Sequence, residues 1–219
     1  MLKLLLDDRN QPHSLRRVLC LGAHSDDIEI GCGGTILKLI ETYPDISIDW
    51  VVFGAIGQRK DEALKSANDF LADVREKNIY VRGFKDGFFP YLGGEIKEYF
   101  EQIKAEISPD LILTHYRHDR HQDHRLISDL TWNTFRNHLI LEYEIPKYDG
   151  DLGNPNVFVH LSASICQRKI QHLIEHFATQ NNKHWFEPET FSSMLRIRGI
   201  ESNSPSKYAE AFYGRKLVF

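Results

Sequence analysis

One stretch limits what this chain can become: residues 18–35, VLCLGAHSDDIEIGCGGT. An apolar run, 18–23, stops abruptly at His24, Ser25, Asp26 and Asp27. A short apolar run bounded by turn signals reads as a buried, parallel strand. Open α/β sheets gather their ligands at the carboxyl ends of such strands, and this end carries an imidazole and two carboxylates. Gly31, Gly33 and Gly34 come next, and the pattern predicts a helix over 34–42. It stops at Tyr43-Pro44, because proline disfavours helix in the residue before it.

Further strands are predicted at 46–55, 79–84, 111–114, 139–145 and 157–161. Residues 60–74, 95–107, 126–136, 167–179 and 189–197 read as helices. Strand and helix in alternation argue an α/β fold: a Rossmann-like, mostly parallel sheet covered by helices on both faces, doubly wound in the order 3-2-1-4-5. With no repeat, low-complexity segment or clear linker, 1–219 reads as a single domain, with 1–16 as an N-terminal arm.

A formal net charge of -4 gives no reason to expect nucleic acid or an anionic membrane as partner. The cysteines, Cys20, Cys32 and Cys166, are odd in number and lack C-x-x-C spacing. They argue against a disulfide framework and for a reducing, cytoplasmic setting. No apolar run approaches membrane-spanning length. Histidine is the unusual component: there are 11, and five fall between His115 and His138.

The fourth strand runs straight into HYRHDRHQDHR, residues 115–125. In the order 3-2-1-4-5 the first and fourth strands are neighbours, and the crevice between them is the topological switch point. His24 and Asp27 from one loop then converge with His124 from the other. Two imidazoles and a carboxylate leave the fourth tetrahedral position open, as in catalytic zinc sites, where bound water loses its proton near neutrality. Each motif alone is weaker. Asp27 also suits a helix cap or a turn, His24 also suits a hydrogen-bonded core, and a charged loop is usually a solvated one. The glycines compete as a phosphate loop, but GCGG lacks the full G-x-G-x-x-G pattern and carboxylates stand where phosphate would bind.

AHSDD, GCGGT and HQDH together resemble the LmbE-like or PIG-L family of zinc-dependent N-deacetylases, which act on N-acetylglucosamine-containing molecules and related amino sugars. Softer echoes are Arg59 with Glu62, the Asp86-Gly87 turn, and the YAEAF of 208–212. Ser25 stands where the family usually has Pro, and Ile28 where it often has Glu. The resemblance implies one Zn2+ per chain, with Fe2+ or Co2+ as alternatives, held by His24, Asp27 and His124. It implies Asp26 as the general base on a zinc-bound water, a protonated His121 that stabilises the oxyanion, and Asp123 as a carboxylate orienting an imidazole. Arg59 and Asp86 would approach the sugar. The expected partner is a small N-acetylated sugar or sugar conjugate, with a homo-oligomer left open. Rival readings are another metal-assisted amide or ester hydrolase and a non-catalytic binding protein.

Around this set, Arg117, Arg120 and Arg125 suit phosphate recognition, yet at least two of them are expected to pair with Asp119, Asp123 or Asp129. His115 and His118 are not expected as ligands. Most of Phe88, Phe89, Tyr91 and Trp185 are expected in the core.

Overall fold

The computed structural model describes residues 15–217, so most of the arm read over 1–16 lies outside the described residues. The strands are β1 (Arg17–His24), β2 (Ser47–Gly54), β3 (Glu76–Val81), β4 (Leu111–His115), β5 (Leu139–Tyr143), β6 (Val157–His160) and β7 (Ala209–Gly214). They form one sheet in the order β3-β2-β1-β4-β5-β7-β6. β1 to β5 are mutually parallel, and β7 runs antiparallel to both of its neighbours. The helices are α1 (Asp27–Thr42), α2 (Gln58–Phe70), α3 (Gly93–Glu106), α4 (Gln122–Thr134), α5 (Ala163–His176) and α6 (Pro188–Glu201).

The central strands are apolar throughout because both of their faces are covered. Val18 and Cys20 of β1 turn to the layer that contains α1, α2, α5 and α6, while Leu19, Leu21 and Ala23 turn to α3 and α4. Trp50 and Phe53 of β2 divide in the same way, each fully buried. This is the doubly wound architecture expected, with an antiparallel edge added. The β7 strand, AEAFYG, is absent from the sequence expectation: its insertion between β5 and β6 is a tertiary event that leaves no local signal.

The glycines correct a second expectation. α1 starts at Asp27 rather than at 34, so Gly31, Gly33 and Gly34 lie inside it and form no phosphate loop. Helix propensity is overridden by packing here. A Cβ on Gly31 would sit 2.1 Å from the Tyr143 ring, and one on Gly34 would sit 2.5 Å from Leu161. Their bareness lets the helix lie directly on the sheet. It is pinned there by a buried ion pair: Lys169 donates to Glu210 at 2.6 Å and to the Ile30 carbonyl at 2.6 Å. Glu210 also accepts the amides of Gly34 and Thr35, at 2.7 and 2.6 Å.

β1 and β4 pair only at Val18–Leu111, Leu19–Ile112 and Cys20–Leu113. Beyond that point both strands continue, each paired on its outer side, as far as His24 and His115. The opening between them is the switch-point crevice.

Candidate metal centre and active site

His24 is the last residue of β1, Asp27 opens α1, and His124 lies in the first turn of α4. Their donor atoms form a nearly equilateral triangle. His24 Nδ1 is 3.2 Å from His124 Nε2 and 3.3 Å from Asp27 Oδ2, and the third side is 3.4 Å. Ligands about 2.0–2.2 Å from a tetrahedral zinc stand about 3.4 Å from one another, so the dimensions fit.

The other ends of the rings are already committed. His24 Nε2 lies 3.2 Å from Asp123 Oδ2 and 3.1 Å from Asp86 Oδ1. His124 Nδ1 lies 2.9 Å from Asp119 Oδ2. A carboxylate behind each imidazole fixes the tautomer and directs the opposite lone pair into the triangle. Asp123 is itself held by the Gly87 and Phe89 amides, at 2.6 and 3.1 Å, and the Gly87 turn needs φ = +80°. Asp119 is held by Lys147 at 3.0 Å and by the His121 amide at 2.8 Å. Three electron-rich atoms thus face one another and call for positive charge between them. Burial lowers the His24 pKa, but the Asp27 charge and hydrogen bonds with Asp123, Asp27 and Asp86 outweigh it, so the ring stands well above its ordinary value.

Two neighbouring histidines lie within reach of the same space, each with a ring nitrogen already engaged by a backbone amide. His121 caps α4, its Nδ1 accepting the Asp123 amide at 3.3 Å, so Nε2 carries the proton and offers no lone pair. Its ring packs 4.6 Å from His124 and 4.9 Å from His24. Burial and the neighbouring His24 hold His121 below its ordinary pKa. His115 spends Nε2 on the Ala23 amide at 2.9 Å, and burial lowers its pKa to about 4. His118 is exposed and lies against Tyr116.

Asp26 occupies the N-cap position of α1 yet makes no capping bond with its side chain. An aspartate there normally caps, so this carboxylate is released for other work. Burial and the adjacent Asp27 raise its pKa, with Arg59, Lys183 and His24 pulling the other way. Arg59 ties the rim together: Nη1 is 2.6 Å from Asp86, Nη2 is 3.7 Å from Asp26 Oδ1, and Nε donates to Ser25 at 3.2 Å. Asp86 is half exposed and joins the rim to the back of His24.

The arginine expectation is overturned. Asp119 and Asp123 are taken by histidines, and among the described residues no ion pair joins Arg117, Arg120 or Arg125 to Asp119, Asp123 or Asp129. Arg125 instead donates to the backbone carbonyls of Asp119 and Arg120. The aromatics divide: Phe89 is in the core, whereas Phe88 and Tyr91 are exposed on the turn that follows Asp86. Asp119 and Lys147 were missed as site residues. The only available signal for Asp119 was its place inside the histidine-rich loop, and Lys147 has no local signal at all.

Residues 19–135 match the family described as PIG-L: GlcNAc-PI de-N-acetylase. Diacetylchitobiose deacetylase of Thermococcus kodakarensis is 30% identical over 131 residues, covering 53% of this chain and 48% of that protein. The chain thus spans about half the length of that relative. The N,N'-diacetylchitobiose deacetylase structure from Pyrococcus horikoshii superposes with a TM-score of 0.68 at 20% identity, covering 92% of this chain and 84% of that one. GalB of Pseudomonas putida KT2440, a 4-carboxy-2-hydroxymuconate hydratase, gives 0.69 at 16%, covering 94% and 98%. Such distant likenesses establish a shared fold, and the hydratase among them shows that the fold does not dictate one reaction. With more than half of its length matched to that one family, this chain is a member of the PIG-L, or LmbE-like, family.

Proposed function

We propose that this chain is a divalent-metal-dependent N-deacetylase that hydrolyses the acetamide of a small N-acetylated amino sugar or amino-sugar conjugate. The observation that carries this reading is the triangle of His24 Nδ1, Asp27 Oδ2 and His124 Nε2, with sides of 3.2 to 3.4 Å. Those three residues would hold the ion, with zinc suiting the set and Fe2+ or Co2+ as alternatives. When bound, such an ion polarises a carbonyl and makes water nucleophilic near neutral pH.

The chain's own groups supply the rest. Asp26, buried but free of capping duty, takes a proton from the attacking water. It hands that proton to the departing nitrogen as the C–N bond breaks, because an amine cannot leave as an anion. His121 presents a neutral Nε2–H to the oxygen on which negative charge develops. Asp123 and Asp119 act behind the ligands, keeping His24 and His124 aimed. Arg59 and Asp86, bonded to each other at the mouth, offer donors and acceptors to sugar hydroxyls. Relatives named as deacetylases of an N-acetylated disaccharide support this substrate class.

The test is acetate release from a panel of N-acetylated amino sugars and their conjugates, with and without a chelator, beside a metal analysis. Release that needs about one ion per chain is expected. No acetate from any substrate by the metal-loaded chain would sink the reading. Asp26→Asn is expected to keep its metal and lose about 10²–10⁴-fold in kcat; near-normal turnover would remove Asp26 as the base.

A further inference from the structure

The crevice between β1 and β4 raises a question that the ligands alone do not answer. Past Cys20 and Leu113 the two strands stop pairing, so the backbone of Leu21 to His24 faces a gap in the ladder. Buried backbone groups need partners. Here side chains provide them. Tyr143, at the end of β5, donates its hydroxyl to the Leu21 carbonyl at 2.6 Å. His115, at the end of β4, accepts the Ala23 amide on Nε2 at 2.9 Å. The two side chains also touch each other, Oη to Nε2 at 3.2 Å.

Both are fully buried, and His115 lies directly against the triangle. The His115 ring stacks on His124 at 4.0 Å and 22°, and its Nε2 lies 3.3 Å from Asp27 Oδ2. The Tyr143 ring fills the space left by Gly31, on the helix that opens with Asp27. His115 Nδ1, meanwhile, is buried with no partner. An unsatisfied buried donor costs stability; a phenylalanine at 115 would remove this one and leave the Ala23 amide unpaired in its place.

We infer that His115 and Tyr143 are positioning residues for the metal centre: a two-membered strut that replaces the missing ladder bonds and holds β1 and β4 at the separation the triangle requires. This rests on the metal-centre reading above. A purely structural role and the strut predict opposite things for His115→Phe. If the histidine only fills space, the variant is as stable or more so and binds metal as before. If it is a strut, Ala23 loses its acceptor and metal affinity falls, while the melting temperature, with one unpaired donor exchanged for another, changes little.

The experiment measures zinc affinity of the full chain by competition with a chromophoric chelator, alongside thermal unfolding of the metal-free protein. His115→Phe and Tyr143→Phe are each expected to weaken zinc binding about 10–100-fold, the size of effect seen when supporting groups behind ligands are removed. His115→Gln, which keeps an acceptor in reach of the Ala23 amide, is expected to recover most of the loss. Affinity unchanged in both phenylalanine variants overturns the strut. So does a loss that only tracks a fall in melting temperature, or a glutamine variant no better than the phenylalanine one. A wild-type chain that binds no zinc would instead overturn the metal-centre reading itself.

Discussion

Two clusters of buried charge meet α1, and they behave differently. Lys169 and Glu210 form a closed set: the ammonium meets a carboxylate and a carbonyl, and the carboxylate meets two amides besides. Nζ and both carboxylate oxygens already have partners. At the start of the helix, His24 and His124 have their outer nitrogens satisfied and their inner nitrogens turned, with Asp27 Oδ2, on one another. Closure marks charge that fastens a fold. Convergence of lone pairs marks charge held ready for a cation. Both burials are unfavourable in isolation, so what separates a lock from a site is which atoms remain unspent.

That contrast can be broken by mutation. The largest effect is expected for His124→Ala, which removes one corner of the triangle: the chain should fold, retain little or no metal after dialysis, and show the activity of the chelated protein. A full metal complement in that variant would erase the distinction. Lys169→Met comes next, leaving Glu210 buried without its cation, and should cost about 3–5 kcal/mol in denaturant unfolding. The fraction that stays folded should still take up metal. Smallest is Asp119→Asn, which keeps the shape behind His124 but weakens the acceptor. Zinc affinity should drop about 10–100-fold with little change in stability. If instead Asp119→Asn unfolds the protein while Lys169→Met merely loosens the metal, the two clusters have been assigned the wrong way round.

The sequence carried the parts of this molecule that are local or repeat along the chain. The apolar run ending at His24, and the one ending at His115, located the two strands whose carboxyl ends build the crevice. The converging trio His24, Asp27 and His124 followed from placing those strands side by side. What could not be read was whatever depends on a partner distant in sequence. Asp119 looked like one more charge in a basic loop until His124 and Lys147 claimed it. The three glycines looked like the approach to a helix until Tyr143, Phe70 and Leu161 occupied the space they leave inside it. β7 is recognisable only once β5 and β6 stand apart to admit it. His121 and Asp26 both lie at helix starts, yet one caps and the other does not, a distinction decided by side-chain geometry rather than by residue type.

The hold of Glu210 on Gly34 and Thr35 spans 176 and 175 positions of the chain. Closing a contact of that reach costs loop entropy before the contact rewards it, and long-range pairing of this kind is kinetically slow. Residues that α1 presents to the chemistry thus lean on a contact expected to form slowly, although their helix belongs to the first βα unit of the sheet. Metal added during refolding should meet a trio of donors still loosely arranged, and metal added afterwards a finished one.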